Sequence, residues 1–448
     1  MNKEKCRRLW VTVEKLRGLI SREAIVRVMI YSLLLKYIEG KHKNENAFPF
    51  YDERYSVNYL SLTYGKMISA DDLKIYIALL ETELGINNGI ISEGIFTLFS
   101  NFDAEKIKLI FNEMESVDPN SYRDFYETSV FLLDQLSLSS GRTSGEYLSN
   151  YSVAKLIGII LNCKTEMTLY DGFCGYGILA TQSAADNCSV YLQDISLSSI
   201  SLAAVMTVFS GTKIKSVCCG DSLLNPINCT MKYDRVVIDP PIGLRYDPEY
   251  IKSIPQGNCL AVKTEDRDSV YVRHAIAHMR EDGLAAVIVP MGLLFRSGRS
   301  AETRKEYASQ YVDAVIELPG GTIPSTGIAA AILILKKKKP DDGIFMINVK
   351  DFTEKAERTR TYITESRIEE IVRIYQNREV IEGISNIVSH EELLENEYNL
   401  CTTPYVNTLT TGYATESVAP YINKYDELSA EVSEIDSRLT ALRERFCK

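Results

Sequence analysis

At 448 residues, with 45% hydrophobic side chains, the chain is long enough for two or three domains and a sizeable core. It has no run of 18 apolar residues, no signal-peptide pattern and no C-x-x-C among its ten cysteines. Those absences argue against a membrane span, secretion, a disulfide framework or a cysteine zinc site, and the expectation is a cytoplasmic protein with reduced thiols. The net charge of −10 argues against a protein that grips nucleic acid alone, because such affinity comes largely from neutralising phosphates. If DNA is the substrate, a partner supplies much of the grip.

The first segment, residues 1–140, reads as helical: Leu16, Ile20, Ile25, Val28, Met29, Ser32 and Leu33 fit a 3.6-residue repeat. Further amphipathic stretches follow near 70–83, 103–117 and 122–137, and the polar run Ser137–Ser144 reads as a linker. Residues 141–350 alternate short β-rich runs with helical ones. Strands are expected at 167–171, 190–194, 215–219, 234–238, 284–290, 312–318 and 328–337. Seven strands with intervening helices predict an α/β fold, a doubly wound Rossmann-like sheet. Lys336–Lys339 closes the last strand and reads as a solvated sheet edge. Residues 351–448 read as helical. There Val418, Tyr421, Tyr425, Leu428, Val432, Ile435, Leu439, Leu442 and Phe446 recur at steps of three and four with charged flanks. Such a seam suits a coiled-coil partner helix, or a long amphipathic helix packed on its own domain.

Two loops carry the chemistry. Met167-Thr-Leu-Tyr170 leads into Asp171-Gly-Phe-Cys-Gly-Tyr-Gly177, and Arg235-Val-Val-Ile238 leads into Asp239-Pro-Pro-Ile-Gly243. A buried parallel strand delivers each loop to the carboxyl edge of the sheet, where ligands bind. Glycines let the first backbone come close to a ligand, whereas two prolines make the second rigid. The pair resembles motifs I and IV of amino-group methyltransferases that use S-adenosylmethionine. In that reading Asp171 faces the cationic methionine part, with Cys174, Gly175 and Gly177 around it. Asp194, ending Tyr191-Leu-Gln-Asp194, sits where this sheet type holds ribose hydroxyls, and Asp221 with Ser222 offers an acceptor for the adenine amine. Taken singly, each acid also fits a strand-end cap. A dehydrogenase is disfavoured because the first loop lacks G-x-G-x-x-G spacing.

The second loop suits transfer to an amine. An exocyclic amine on an aromatic ring is a poor nucleophile, and hydrogen bonds to the Asp239 carboxylate and the Pro240 carbonyl would turn its lone pair towards the methyl group. In a duplex the base must first be flipped out. A flipped base normally stacks on an aromatic ring after Pro241, but this chain has Ile242, forfeiting roughly 1–3 kcal/mol of stacking per base. Phe295 is a candidate ring from the other side, with a plain core role as the alternative. His274 and His278 lie four apart on a predicted helix without H-E-x-x-H, so a structural role is expected and no metal is implied.

Over nearly its whole length the sequence resembles the modification (methyltransferase) subunit of type I restriction–modification systems. The similarity rests on Leu16-Arg-Gly-Leu-Ile-Ser21, Gly145-Glu-Tyr-Leu-Ser149, Val287–Phe295, Val315–Pro319, Thr326–Lys336, Glu397-Tyr-Asn-Leu400 and Pro404-Tyr-Val406. It implies adenine N6 methylation of DNA, with S-adenosylmethionine contacts from Glu146, Tyr147 and Ser149. The target sequence would be read by a separate specificity subunit, bound through the C-terminal helix. A second copy of the chain and a restriction subunit complete the expected assembly. Departures from the family pattern are Ser149 and Asn150 for threonine and proline, Gly172 for proline, and Ile242. Ile242 also motivates an alternative, a methyltransferase-like component that has lost base methylation. A glutamine-amide or RNA N-methyltransferase is the other alternative.

Overall fold

Local capping signals fix the helix ends in the N-terminal third. The computed structural model describes residues 3–86, 88–117, 122–139, 150–241, 243–244, 246–259, 268–322, 329–340, 342–357 and 360–406. Helices α1 (Lys3–Leu16), α2 (Arg22–Glu45), α3 (Val57–Thr63), α4 (Ala70–Glu83), α5 (Ile90–Ser100), α6 (Ala104–Glu115) and α7 (Tyr122–Ser139) form the helical layer. Ser21 accepts from the Ala24 amide to start α2, and Ser69 with Asp72 makes a reciprocal capping box on α4. Helix α2 is buried on nearly every face from Ala24 to Ile38, so it forms the centre of this layer. The first three residues of the expected linker at Ser137–Ser144 are helical, and 140–144 lie outside the described residues. Helix α7 continues through Ser139, because Leu132, Leu133 and Leu136 keep its inner face buried.

Helix α8 (Tyr151–Leu161) then leads into the sheet. Its elements are β1 (Thr168–Asp171), α9 (Ile178–Ser183), β2 (Ser189–Asp194), α10 (Leu197–Ser210), β3 (Lys213–Cys219), β4 (Tyr233–Ile238), α11 (Pro248–Ser253), α12 (Ser269–His278), β5 (Met279–Pro290), α13 (Met291–Phe295), α14 (Arg299–Tyr311), β6 (Val312–Leu318), β7 (Ala330–Lys336) and β8 (Ile344–Asn348). A hairpin, β9 (Thr353–Glu357) with β10 (Arg360–Ile363), precedes α15 (Glu365–Asn377), β11 (Ser385–Val388) and α16 (His390–Glu395).

All seven expected strands are present, but the sheet has nine, in the order β11-β8-β6-β7-β5-β4-β1-β2-β3. The added strands, β8 and β11, have only five and four residues, too short for a clear alternation in sequence. The segment after residue 350 is accordingly not wholly helical. Strand β7 runs antiparallel between β5 and β6, so Lys336 ends an interior strand and not a sheet edge. Its ammonium pairs with buried Asp313 at 2.8 Å, and Lys337 pairs with Glu281 at 3.0 Å.

The sheet divides two cores. Leu169, Val237, Ile288 and Ile334 face the helical layer with α8, α10 and α15, whereas Tyr170, Val236, Val287 and Leu333 face α12 and α14. This alternation is what a sheet covered on both faces requires. Helix α10 packs on α2, α5 and α7. Residues Met1–Val406 therefore form one compact unit, and the seam at 418–446 lies outside the described residues.

Candidate active site

Chain order reverses where β1 lies between β2 and β4, and the crevice outside these strand ends is where an open α/β sheet binds ligands. The loops leaving β1, β2, β3 and β4 line a cavity of about 460 Å³, within the usual range for a small-molecule site. Of the expected site residues, Gly175, Asp194, Asp221, Ser222, Asp239 and Pro241 line it. Asp171, Cys174, Gly177 and Pro240 do not appear in its wall. Glu146, Tyr147, Ser149 and Ile242 fall outside the described residues.

Asp171 is fully buried at the end of β1. One carboxylate oxygen accepts from the Phe173 amide at 3.2 Å; the other has no hydrogen-bond partner among the described residues. Burial pushes this carboxyl well above the usual carboxylate range, and the charges of Asp239 and Asp194 push it further in the same direction. A buried acid with an idle oxygen, grouped with two other acids, is electrostatically incomplete and suits a cationic ligand. The neighbouring Cys174 thiol is held neutral by burial and by Asp171 and Asp194.

The glycine loop is shaped by close packing. A side chain at Gly172 would overlap the Tyr170 hydroxyl, which explains the missing proline there. Gly177 has φ +78° and starts α9, and a Cβ on it would lie 3.0 Å from Ala203 on α10. Asp194 holds this loop: its carboxylate accepts from the Gly175 amide and the Ser196 amide, both at 2.9 Å. The Ser222 hydroxyl donates to the Gly172 carbonyl, tying the β3 loop to the β1 loop. Asn150, the other departure from proline, caps α8 through Ser152 and donates to the Thr322 and Thr361 carbonyls at 2.9 and 3.0 Å.

The sequence reading missed several residues. Buried Gln193 braces the β3 loop through the Gly220 and Asn225 carbonyls and the Ile227 amide. Tyr246 and Tyr250 line the cavity as a stacked pair, centroids 4.8 Å apart, and the Tyr250 hydroxyl donates to Asp221 at 2.7 Å. A density of tyrosines after the Asp-Pro-Pro turn was the available signal. Phe295 is half-exposed on α13, so it is not core, and it does not line the cavity.

His274 and His278 take the structural role expected of them. His274 is fully buried, with Nε2 at 3.0 Å from the Tyr170 hydroxyl and Nδ1 at 2.8 Å from the Asn258 carbonyl. Burial holds it neutral and lowers the His278 value to about 4. Among the described residues no group of three or more potential ligands could hold a metal ion, and no helix is long and apolar enough to cross a membrane.

A family model described as N-6 DNA Methylase matches residues 119–412, about two thirds of the chain. The chain is 24% identical to the type I restriction enzyme MpnII methylase subunit of Mycoplasma pneumoniae over 79% of its own length and 70% of that protein. It is also 24% identical to the MjaVIII methylase subunit of Methanocaldococcus jannaschii over 72% of its length, spanning 61% of that relative. The crystal structure of a type I restriction–modification methyltransferase subunit from Streptococcus thermophilus superposes with a TM-score of 0.70 at 20% identity, covering 90% of this chain and 99% of that one. That likeness establishes the fold.

Proposed function

Because the chain belongs to the N-6 DNA methylase family, we propose that it is the modification subunit of a type I restriction–modification system, methylating adenine N6 within DNA sites read by a separate specificity subunit. Its relatives are methylase subunits of that type. The observation that carries the reading is the acidic cavity at the sheet's switch point, with buried Asp171 beside it and Asp239 and Pro241 at its wall.

S-adenosylmethionine supplies an electrophilic methyl group on a cationic sulfur. Around it, Asp171 and Asp194 contribute negative potential, Gly175 allows close backbone approach, Asp194 holds the ribose diol, and Asp221 accepts from the adenine amine. Glu146, Tyr147 and Ser149 complete the cofactor contacts. The Asp239 carboxylate and the Pro240 carbonyl accept from the target amine and aim its lone pair at the methyl group. Ile242 gives the flipped base apolar contact without π-stacking, and Phe295 is assigned to the outer edge of the base pocket. Residues 1–140 brace the sheet, 141–350 hold the chemistry, and 351–448 carry subunit contacts through the terminal helix. DNA, the specificity subunit, a second copy and a restriction subunit are the assigned partners.

Calorimetry of S-adenosylmethionine binding, paired with labelled methyl transfer to unmethylated DNA, tests these roles. Asp239→Ala should retain cofactor binding and lose transfer by 10²-fold or more, on the order expected for removing one transition-state contact. Transfer that survives Asp239→Ala contradicts the assignment. Binding without transfer in the wild-type assembly favours a component that has lost its chemistry.

A further inference from the structure

The loop that follows the Asp-Pro-Pro turn contains more chemistry than the transfer step uses. Asp247 caps α11 by accepting from the Glu249 amide at 2.8 Å, and Pro248 starts the helix, so the position of Tyr250 is fixed locally. The Tyr250 ring stacks on Tyr246 at an interplanar angle of 13°. The Tyr246 hydroxyl lies 2.6 Å from that of Tyr271 on α12, and the Tyr271 ring meets Phe173 of the glycine loop edge-on at 5.1 Å. The pair is therefore held from both ends, by Asp221 and by Tyr271.

The Asp221 carboxylate can be accounted for lone pair by lone pair. One oxygen accepts from the Leu223 and Leu224 amides at 2.9 and 3.2 Å, which fills it. The other accepts from Tyr250 at 2.7 Å and, among the described residues, keeps one acceptor site at the cavity wall. A site so reduced admits one further donor in a set direction. An exocyclic amine provides that donor, whereas a carbonyl oxygen in the same place would meet a carboxylate oxygen head on.

We propose that Tyr250 is a positioning residue for cofactor specificity: its hydroxyl orients Asp221 so that the remaining lone pair selects the adenine amine of S-adenosylmethionine, while its ring, backed by Tyr246, walls that end of the cavity. The proposal rests on the reading of the cavity as the S-adenosylmethionine site. It deepens that reading by explaining how adenosine is told from a 6-oxo purine nucleoside.

The test is calorimetric binding of S-adenosylhomocysteine and S-inosylhomocysteine to the full chain. Wild type should bind the adenosyl compound at least about tenfold more tightly, as a site built around a buried hydrogen bond does. Tyr250→Phe should weaken adenosyl binding about five- to tenfold and inosyl binding far less, compressing the ratio. In an Asp221→Asn background, Tyr250→Phe should have no further effect on the ratio. Equal weakening of both ligands by Tyr250→Phe, or an unchanged ratio, overturns the proposal. Tight adenosyl binding without discrimination in the wild type sinks this inference alone; no adenosyl binding by the folded wild type sinks the cofactor reading with it.

Discussion

At the scale of single residues, the site is organised by acids whose surroundings differ. Asp194 and Asp221 spend much of their hydrogen-bonding capacity on backbone amides, whereas Asp171 keeps one buried oxygen idle. Burial raises the Asp171 carboxyl above its ordinary value of 3.8, so in the ligand-free protein the neutral form persists to higher pH than in the unfolded chain. Its contribution to stability is thus fully present below the ordinary value and is lost as pH rises through the folded one. A cationic ligand reverses that preference by favouring the carboxylate. Affinity for S-adenosylmethionine should therefore rise with pH through the range in which Asp171 ionises, with release of a proton on binding. Calorimetry in buffers of different ionisation enthalpy reads this directly, and Asp171→Asn should remove both the slope and the proton release. Strand-end acids and glycines were legible in the sequence because parallel strands deliver their loops to one edge. The Tyr250–Asp221 bond was not, because it joins residues 29 apart that meet only once α11 folds back over the β3 loop.

At the scale of elements, close approach and buried polar contacts decide what the loops can tolerate. Gly177 occupies the left-handed region and touches α10, so Gly177→Ala should cost at least about 1 kcal/mol and weaken cofactor binding together with stability. Denaturant unfolding with and without ligand checks it. Helix α12 buries two neutral imidazoles, and the His278 Nε2 has no hydrogen-bond partner among the described residues. With a folded value of about 4 against an ordinary 6.5, His278 binds its proton more readily in the unfolded chain. Stability should be full above pH 6.5 and fall by up to about 1.4 kcal/mol per pH unit between 6.5 and 4, and His278→Phe should flatten that decline in thermal unfolding. Arg304, fully buried on α14, donates to the Leu293, Arg296, Glu397 and Tyr398 carbonyls. This accounts for the Glu397-Tyr-Asn-Leu400 block as a clasp closing the second core. Arg304→Met, which strands several carbonyls, should cost about 3 kcal/mol or more in the same unfolding assay.

For the whole molecule, the helical layer and the sheet share a core. The Tyr31 hydroxyl lies 2.7 Å from Ser201 on α10, and Tyr126 on α7 lies 2.7 Å from Thr181 on α9. Strands β1 to β7 and most N-terminal helices could be read from periodicity, since long repeats and apolar runs bounded by turns survive without tertiary information. The short strands β8 and β11 and the interior place of β7 depend on pairing, which no local pattern encodes. A net charge of −10 argues that much of any DNA affinity comes from the assembly, so the isolated chain should bind duplex DNA weakly and with a shallower salt dependence than the assembly, since the slope scales with the phosphates neutralised. The most direct measurement is methyl transfer from labelled S-adenosylmethionine to unmethylated genomic DNA by the chain together with its co-encoded specificity subunit, with modified bases located by sequencing. The account predicts label on N6 of adenine within one defined motif, abolished by Asp239→Ala. Label on cytosine or RNA, or none from an assembly that binds both cofactor and DNA, would contradict it.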